Sequence, residues 1–365
     1  MKILHVFRTP VGGLFRHVRD LARGQAELGH DVGLLCDSST GGVVADQLLE
    51  AVLPFCRLGI QRIAISRLPG VGDISATLKT RAHARKISAD IIHGHGAKGG
   101  LYGRLAARAL GTPSVYSPHG GSLHYNWLAF PGCLFLTSEW VLSHMGSAMI
   151  FVCEFERLSF AAKIGLAGKP NVVVYNGLWP HEFTRVVPQG DAADVLFMGD
   201  MRVLKGVDVL LHALAIVGRK RAVSSNLVGD GPDQALFQKM AVDLGLAKSV
   251  RFLGRLSTAD ALKCGRLLVL PSRAESFPYV VLEAAAGQVA MIASDVGGIP
   301  EILPQENLCP PGNADALARH IEMALAIPDA ATLAAGTLAD KTRSKFMAAD
   351  MAKNIVAFYA KMSVN

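Results

Sequence analysis

Along the 365-residue chain, short runs of β-branched and apolar residues alternate with longer stretches whose apolar positions recur every three or four residues. In the first half this pattern predicts strands at 3–7, 32–36, 91–93, 114–117, 149–152 and 172–175, and helices at about 14–28, 74–87 and 101–110. A polar, proline-containing stretch over 179–194 interrupts the rhythm, which then restarts. Strands follow at 195–198, 225–228, 250–253, 267–270 and 290–293, with helices at 207–217 and 280–287 and an alanine-rich helical stretch over 328–361. Strands separated by helices form parallel sheets, so the pattern predicts an α/β chain of two Rossmann-like, doubly wound domains with a ligand cleft between them. The expected boundaries are 1–180 for the first domain and 181–340 for the second, with a C-terminal helix at 341–365 packing back on the first.

Composition agrees with a folded chain, since half of the residues are hydrophobic. No 18-residue apolar run occurs, and Arg8, Thr9 and Pro10 follow the first strand too soon for the core of a signal peptide, which predicts a cytoplasmic location. Cys36, Cys56, Cys133, Cys153, Cys264 and Cys309 show no C-x-x-C spacing and are expected to be free, mostly buried thiols. Charge becomes informative once divided: residues 1–180 hold 18 Lys and Arg against 11 Asp and Glu, whereas the second half holds 19 of each, so the net +7 lies in the first half. That excess suits anionic headgroups or a diphosphate-bearing acceptor, or is merely a basic surface; no nucleic-acid motif accompanies it.

The densest candidate chemistry lies in Pro271-Ser272-Arg273-Ala274-Glu275-Ser276-Phe277-Pro278-Tyr279-Val280-Val281-Leu282-Glu283-Ala284, after a buried strand and at a helix start. Backbone amides there favour an anion such as a diphosphate, Glu275 can reach sugar hydroxyls, and Glu283 can accept from ribose hydroxyls. In Phe197-Met198-Gly199-Asp200-Met201-Arg202-Val203-Leu204-Lys205-Gly206, a glycine turn is followed by two cations suited to a diphosphate leaving group. Gly12 and Gly13 form a turn between the first strand and helix, and His119 in Ser117-Pro118-His119-Gly120 follows a strand, placed to bind the transferred sugar or the acceptor. His93 and His95 lack a third ligand nearby in the sequence, so no metal site is expected.

With these elements in this order, the chain resembles the family 4 glycosyltransferases of the GT-B fold, a large retaining family. The likeness rests on Gly12-Gly13, Ser117-Pro118-His119-Gly120, Val174-Tyr175-Asn176-Gly177, Lys205-Gly206-Val207-Asp208, Val228-Gly229-Asp230-Gly231-Pro232, Val250-Arg251-Phe252-Leu253-Gly254 and the two-glutamate motif. It implies that Lys205 binds the donor diphosphate, Glu275 the donor sugar and Glu283 the ribose. Arg251, Phe252 and Leu253 would hold the base, largely through backbone groups. Gly199, Gly229, Ser276, Phe277 and Pro278 would line the sugar–phosphate site, and Gly12, Gly13 and His119 would approach from the acceptor domain. Asp200 departs from the pattern by standing where the family has arginine, so Arg202 is expected to supply the missing cation.

The activity implied is transfer of a sugar from a UDP- or GDP-sugar to a saccharide or lipid-linked acceptor, with retention and with neither metal nor cofactor. His119, Lys205 and Glu275 are the expected catalytic residues. A peripheral contact with an anionic membrane, at the inner face of the cell membrane, is a further expectation. The apolar segment 127–136 supports it, although that segment reads equally as core. Two alternatives share the architecture: a nucleotide-sugar epimerase, and a catalytically silent binder. A nicotinamide dehydrogenase is disfavoured, because Gly229-Asp230-Gly231-Pro232 lacks the third glycine of the dinucleotide fingerprint.

Overall fold

The computed structural model describes residues 1–130 and 132–362. It contains two compact units, Met1–Gly177 together with the C-terminal segment from Ala348, and Leu178–Met347. The first holds strands β1 (Lys2–Val6), β2 (Asp31–Asp37), β3 (Ile60–Ile63), β4 (Ile91–His95), β5 (Ser114–Ser117), β6 (Ala148–Phe151) and β7 (Asn171–Val173). Its helices are α1 (Gly12–Glu27), α2 (Gly42–Val52), α3 (Gly72–Ile87), α4 (Gly96–Leu110), α5 (Gly132–Ser143) and α6 (Glu154–Lys163). The second holds β8 (Ala193–Met198), β9 (Ser225–Val228), β10 (Val250–Gly254), β11 (Gly265–Leu270), β12 (Ala290–Ser294) and β13 (Leu308–Cys309). Its helices are α7 (Val207–Gly218), α8 (Gln234–Asp243), α9 (Thr258–Lys263), α10 (Tyr279–Ala286), α11 (Ala314–Ala326) and α12 (Pro328–Lys345); α13 (Ala348–Met362) returns to the first unit.

Every pairing between these strands is parallel, in the orders β3-β2-β1-β4-β5-β6-β7 and β10-β9-β8-β11-β12-β13. Parallel sheets are covered by helices on both faces, which is why the central strands read as unbroken apolar runs. In each unit the chain moves outward from the first strand in one direction and then returns to build outward in the other. The reversal points lie between β1 and β4 and between β8 and β11.

The prediction missed the smaller elements, among them edge strand β3 and helices α2, α5, α6 and α8. It also started α4 five residues late, because Gly96, Gly99 and Gly100 lower helix propensity. Tertiary packing explains those glycines: a Cβ on Gly99 would stand 2.1 Å from the Val6 carbonyl oxygen, so only glycine lets α4 lie this close to β1. The C-terminal stretch is two helices rather than one, broken at Phe346 and Met347, and the chain leaves the second unit after Met347 rather than at 341. On α13, Met351, Ile355 and Tyr359 are buried against Ile3, Leu21 and Ile91. All six cysteines are free, five of them buried and Cys133 exposed. Among the described residues no single helix is long and apolar enough to cross a membrane.

The apolar segment 127–136 divides rather than joining the core. Leu128 and Phe130 are 95% and 87% exposed and Leu134 is also exposed, whereas Leu136 is fully buried. Pro131 lies outside the described residues. α5 is held instead by a buried charge pair. Arg104 of α4 donates to Glu139 of α5 at 2.9 Å, the Tyr116 hydroxyl of β5 donates to the same carboxylate at 2.7 Å, and the guanidinium lies 3.9 Å from the Tyr116 ring centre. Arg104 and Glu139 are 1% and 4% exposed, so neither can recover hydration if the other is lost. Glu139→Ala is therefore expected to destabilise the protein by about 3–5 kcal/mol in urea unfolding. Replacing both charges, as Arg104→Met with Glu139→Leu, should cost much less. Equal costs would show that the pair is not what anchors α5.

Candidate active site

In the second unit the reversal between β8 and β11 separates two loops, Gly199–Gly206 after β8 and 271–278 after β11. Ligands collect outside the carboxyl ends of parallel strands at such a point. The loops meet through backbone: a Cβ on Gly206 would stand 1.9 Å from the Pro271 carbonyl oxygen, and the Arg273 amide donates to the Leu204 carbonyl at 2.8 Å. Lys205 and Glu275 are thereby brought together, with Nζ donating to Oε1 at 2.6 Å while the Ser272 hydroxyl donates to the same oxygen at 2.7 Å.

A second pair braces the arrangement. Arg273 forms a fork on Asp208, the second residue of α7, at 2.7 and 2.6 Å, and its Nη1 also donates to the Val203 carbonyl at 2.6 Å. Burial works to raise the Asp208 carboxyl, but the Arg273 hydrogen bonds and charge outweigh it and hold the group below the ordinary carboxylate range. The next loop along the sheet closes the cluster from the other side: the Gly298 amide donates to the Ser276 carbonyl at 2.6 Å, and a Cβ on Gly297 would meet the Glu275 carbonyl at 2.0 Å. Sequence reasoning passed over Gly297 and Gly298; their signal was a glycine pair just after a buried strand.

The other expected donor residues are distributed as follows. Gly199 and Gly229 join the β8 and β9 loops, the Gly199 amide donating to the Val228 carbonyl at 3.0 Å. Glu283 lies half-buried within α10, and Pro278 caps that helix rather than opening its first turn. Phe277 turns inward, buried against Phe346 at 5.5 Å between ring centres. Arg202 is exposed and stands 3.8 Å from Asp200, so the expected replacement cation faces the aspartate that departs from the family pattern. Arg251 donates to the Asn226 side chain at 3.0 Å and reaches toward the Asp191 carbonyl before β8. Its side chain therefore lies toward the starting end of the sheet, with Phe252 half-buried and Leu253 exposed nearer the Gly229 loop.

In the first unit, Gly12 and Gly13 begin α1 with open space where their side chains would be. His119 belongs to a cluster assembled around the reversal between β1 and β4. His5 and His93 face each other in register, and His17, His95 and His119 join them from α1, the end of β4 and the loop after β5. The local sequence around His93 and His95 offered no further ligand, whereas the fold gathers three more imidazoles around them. Tyr359 of α13 contacts His93 Nδ1 at 2.5 Å, and Ser117 contacts Nε2 at 2.9 Å. His119 adopts φ +54°, a left-handed conformation uncommon outside glycine, and the following amide of Gly120 donates to the buried Glu156 carboxylate.

Burial keeps this cluster uncharged: it lowers His5 and His17 to about 4, and His93, His95 and His119 well below the ordinary imidazole range. Neutrality fixes the protons. The Gln25 side-chain oxygen can only accept, so His5 Nε2 carries a hydrogen at 2.8 Å from it, and His5 Nδ1 accepts from His95 Nε2 at 3.0 Å. His95 Nδ1 is then a lone pair, 3.1 Å from His119 Nε2. Likewise His17 Nδ1 donates to the Asn176 side-chain oxygen at 2.8 Å, which leaves its buried Nε2 as a lone pair without a partner.

A profile described as Glycosyltransferase Family 4 matches residues 11–180, and one described as Glycosyl transferases group 1 matches residues 192–326. The chain belongs to the family 4 glycosyltransferases. This transferase is 25% identical to glycogen synthase of Mycobacterium tuberculosis over 92% of its own length and 88% of that protein. It is 32% identical to D-inositol 3-phosphate glycosyltransferase of Streptomyces avermitilis over 58% of its length and 52% of that enzyme. Its two-unit fold matches Alr3699/HepE of Anabaena, solved in complex with UDP and glucose, at a TM-score of 0.84, covering 99% of this chain and 100% of that one at 21% identity.

The neutral histidines make transferase stability pH-dependent. Their folded values lie below the unfolded value near 6.5, so the unfolded chain takes up protons first and stability falls as pH drops through that range. Between pH 7 and pH 5, His5 and His17 should each remove roughly 2 kcal/mol from the unfolding free energy. Urea titrations at the two pH values measure the loss, and His5→Gln should flatten the slope. An unchanged free energy at pH 5 would mean that the cluster is not held neutral.

Proposed function

We propose that the transferase moves a hexosyl group from a UDP- or GDP-sugar to a saccharide or lipid-linked saccharide acceptor, with retention of anomeric configuration and without a catalytic metal. The Lys205–Glu275 contact at the second unit's reversal point carries this reading. It places a cation and a carboxylate side by side just before α10, whose positive end favours a diphosphate. Lys205 is more exposed than Glu275 and can turn to the diphosphate when donor binds, releasing the carboxylate to the sugar hydroxyls. Glu283 then holds the ribose.

Transfer proceeds on one face. The acceptor hydroxyl attacks the anomeric carbon as the bond to the diphosphate oxygen breaks, and that oxygen takes the hydroxyl proton. Lys205, with Arg202 as the second cation, stabilises the charge that builds on the leaving group. His119 contacts the sugar or the acceptor. Support for a nucleotide-sugar donor comes from the similar Alr3699/HepE, solved with UDP and glucose. A lipid-linked acceptor, with peripheral membrane contact, is supported by the exposed Leu128, Phe130 and Leu134 and by the basic first half of the sequence.

Thermal shift with UDP, GDP, ADP and their sugar conjugates in the presence of EDTA should show one preferred base, with a gain of about 2.7 kcal/mol at 100 times the dissociation constant. Lys205→Ala should erase the shift and lower kcat/KM by roughly 10²- to 10³-fold. An inverted product, or turnover abolished by EDTA and restored by Mg²⁺ or Mn²⁺, would overturn the mechanism. Sedimentation with anionic vesicles tests the membrane contact, which requires binding that weakens at high salt.

A further inference from the structure

We propose that His17, His95 and His119 form a three-imidazole site for a divalent transition cation of the zinc class. The proposal stands on the first unit alone and holds whichever donor the second unit takes. The hydrogen bonding of the cluster leaves Nε2 of His17, a residue 1% exposed, as a lone pair without a partner, and leaves His95 Nδ1 as a lone pair whose partner is His119 Nε2 at 3.1 Å. One ring nitrogen from each of His17, His95 and His119 lies within 4.8 Å of the other two.

The ring spacings fit an ion. Nitrogens at about 2.0–2.1 Å from a tetrahedral zinc put their ring centres roughly 5 Å apart. The observed separations are 4.7 Å for His17–His119, 5.3 Å for His95–His119 and 5.5 Å for His17–His95. A second trio, His5, His93 and His95, is also close. It does not suit an ion, because both nitrogens of His93 are engaged outside the trio, by Tyr359 and Ser117, and the His93 and His95 rings stand only 3.9 Å apart. To bind, His119 moves its proton from Nε2 to Nδ1, so no net proton is released.

Outer contacts are already those of a metal site. Asn176 orients His17, His5 orients His95, and the Glu156 carboxylate holds the turn that carries His119. His95 and His119 also line a cavity of about 480 Å³, by which an ion can reach them. Lys98 in that cavity is paired with Asp73 at 2.5 Å, which reduces its repulsion of a cation.

The test is direct titration of the metal-stripped full-length chain with Co²⁺ and Zn²⁺, in a Cys133→Ser background that removes the one exposed thiol. Co²⁺ should give the visible ligand-field bands of a tetrahedral nitrogen site without a thiolate charge-transfer band, and one equivalent of Zn²⁺ should displace it. His17→Gln and His119→Gln should each weaken binding by roughly 100-fold or more, Asn176→Leu by roughly 10- to 100-fold, and His93→Gln by less than about threefold. His119→Gln, at the least buried of the three positions, keeps the test open if His17→Gln fails to fold by circular dichroism. Absence of saturable binding, binding that survives both ligand substitutions, or equal loss in His93→Gln would each overturn the proposal. Donor binding plays no part in these readouts, so failure of the transfer reading would leave them unchanged.

Discussion

Chain direction is the constraint from which both candidate sites follow. When a parallel sheet is built outward from its first strand on one side and then on the other, the two loops that leave adjacent strands at the reversal are led to opposite faces, and the carboxyl edge opens between them. In the second unit that gap lies between β8 and β11 and is bordered by Lys205 and Glu275; in the first it lies between β1 and β4 and is bordered by the histidines. The same topology leads to a charged cluster in one unit and a neutral one in the other. Exposure makes the difference: the Lys205–Glu275 pair keeps some contact with solvent, whereas His5, His17, His93 and His95 are almost wholly withdrawn from it.

Close backbone approach is what turns an open edge into a shaped site. Gly206 against Pro271, Gly229 against Gly199 and Gly297 against Glu275 each place a carbonyl where any other residue would need its Cβ. These contacts set the loops at fixed spacing before any side chain is considered. The Arg273–Asp208 fork then ties the turn carrying Lys205 to the loop carrying Glu275. A site fixed in this way can present a cation and a carboxylate to a ligand with little reorganisation of backbone, which is the condition for electrostatic stabilisation of a leaving group.

The first unit meets a different difficulty, that of placing five polar rings in a core without charging them. It does so by giving nearly every ring nitrogen a neutral partner: Gln25, Asn176, Ser117, Tyr359 or another histidine. The partners come from distant parts of the chain, with Tyr359 on the returning C-terminal helix. That helix is therefore part of the first unit's polar interior as well as of its apolar core.

By itself the sequence determined the α/β alternation, two successive parallel sheets and family membership. Hydrophobic periodicity and glycine turns are local signals, and buried parallel strands display them strongly. It did not determine which residues meet. The inward turn of Phe277, the direction of the Arg251 side chain, the surface position of Leu128 and Phe130, and the switch of unit after Met347 each depend on neighbours far away in the chain. The histidine cluster shows this most clearly. Positions 5, 17, 93, 95 and 119 have no common spacing, and only pairing of β1 with β4, beneath α1 and the loop after β5, brings their rings to one place.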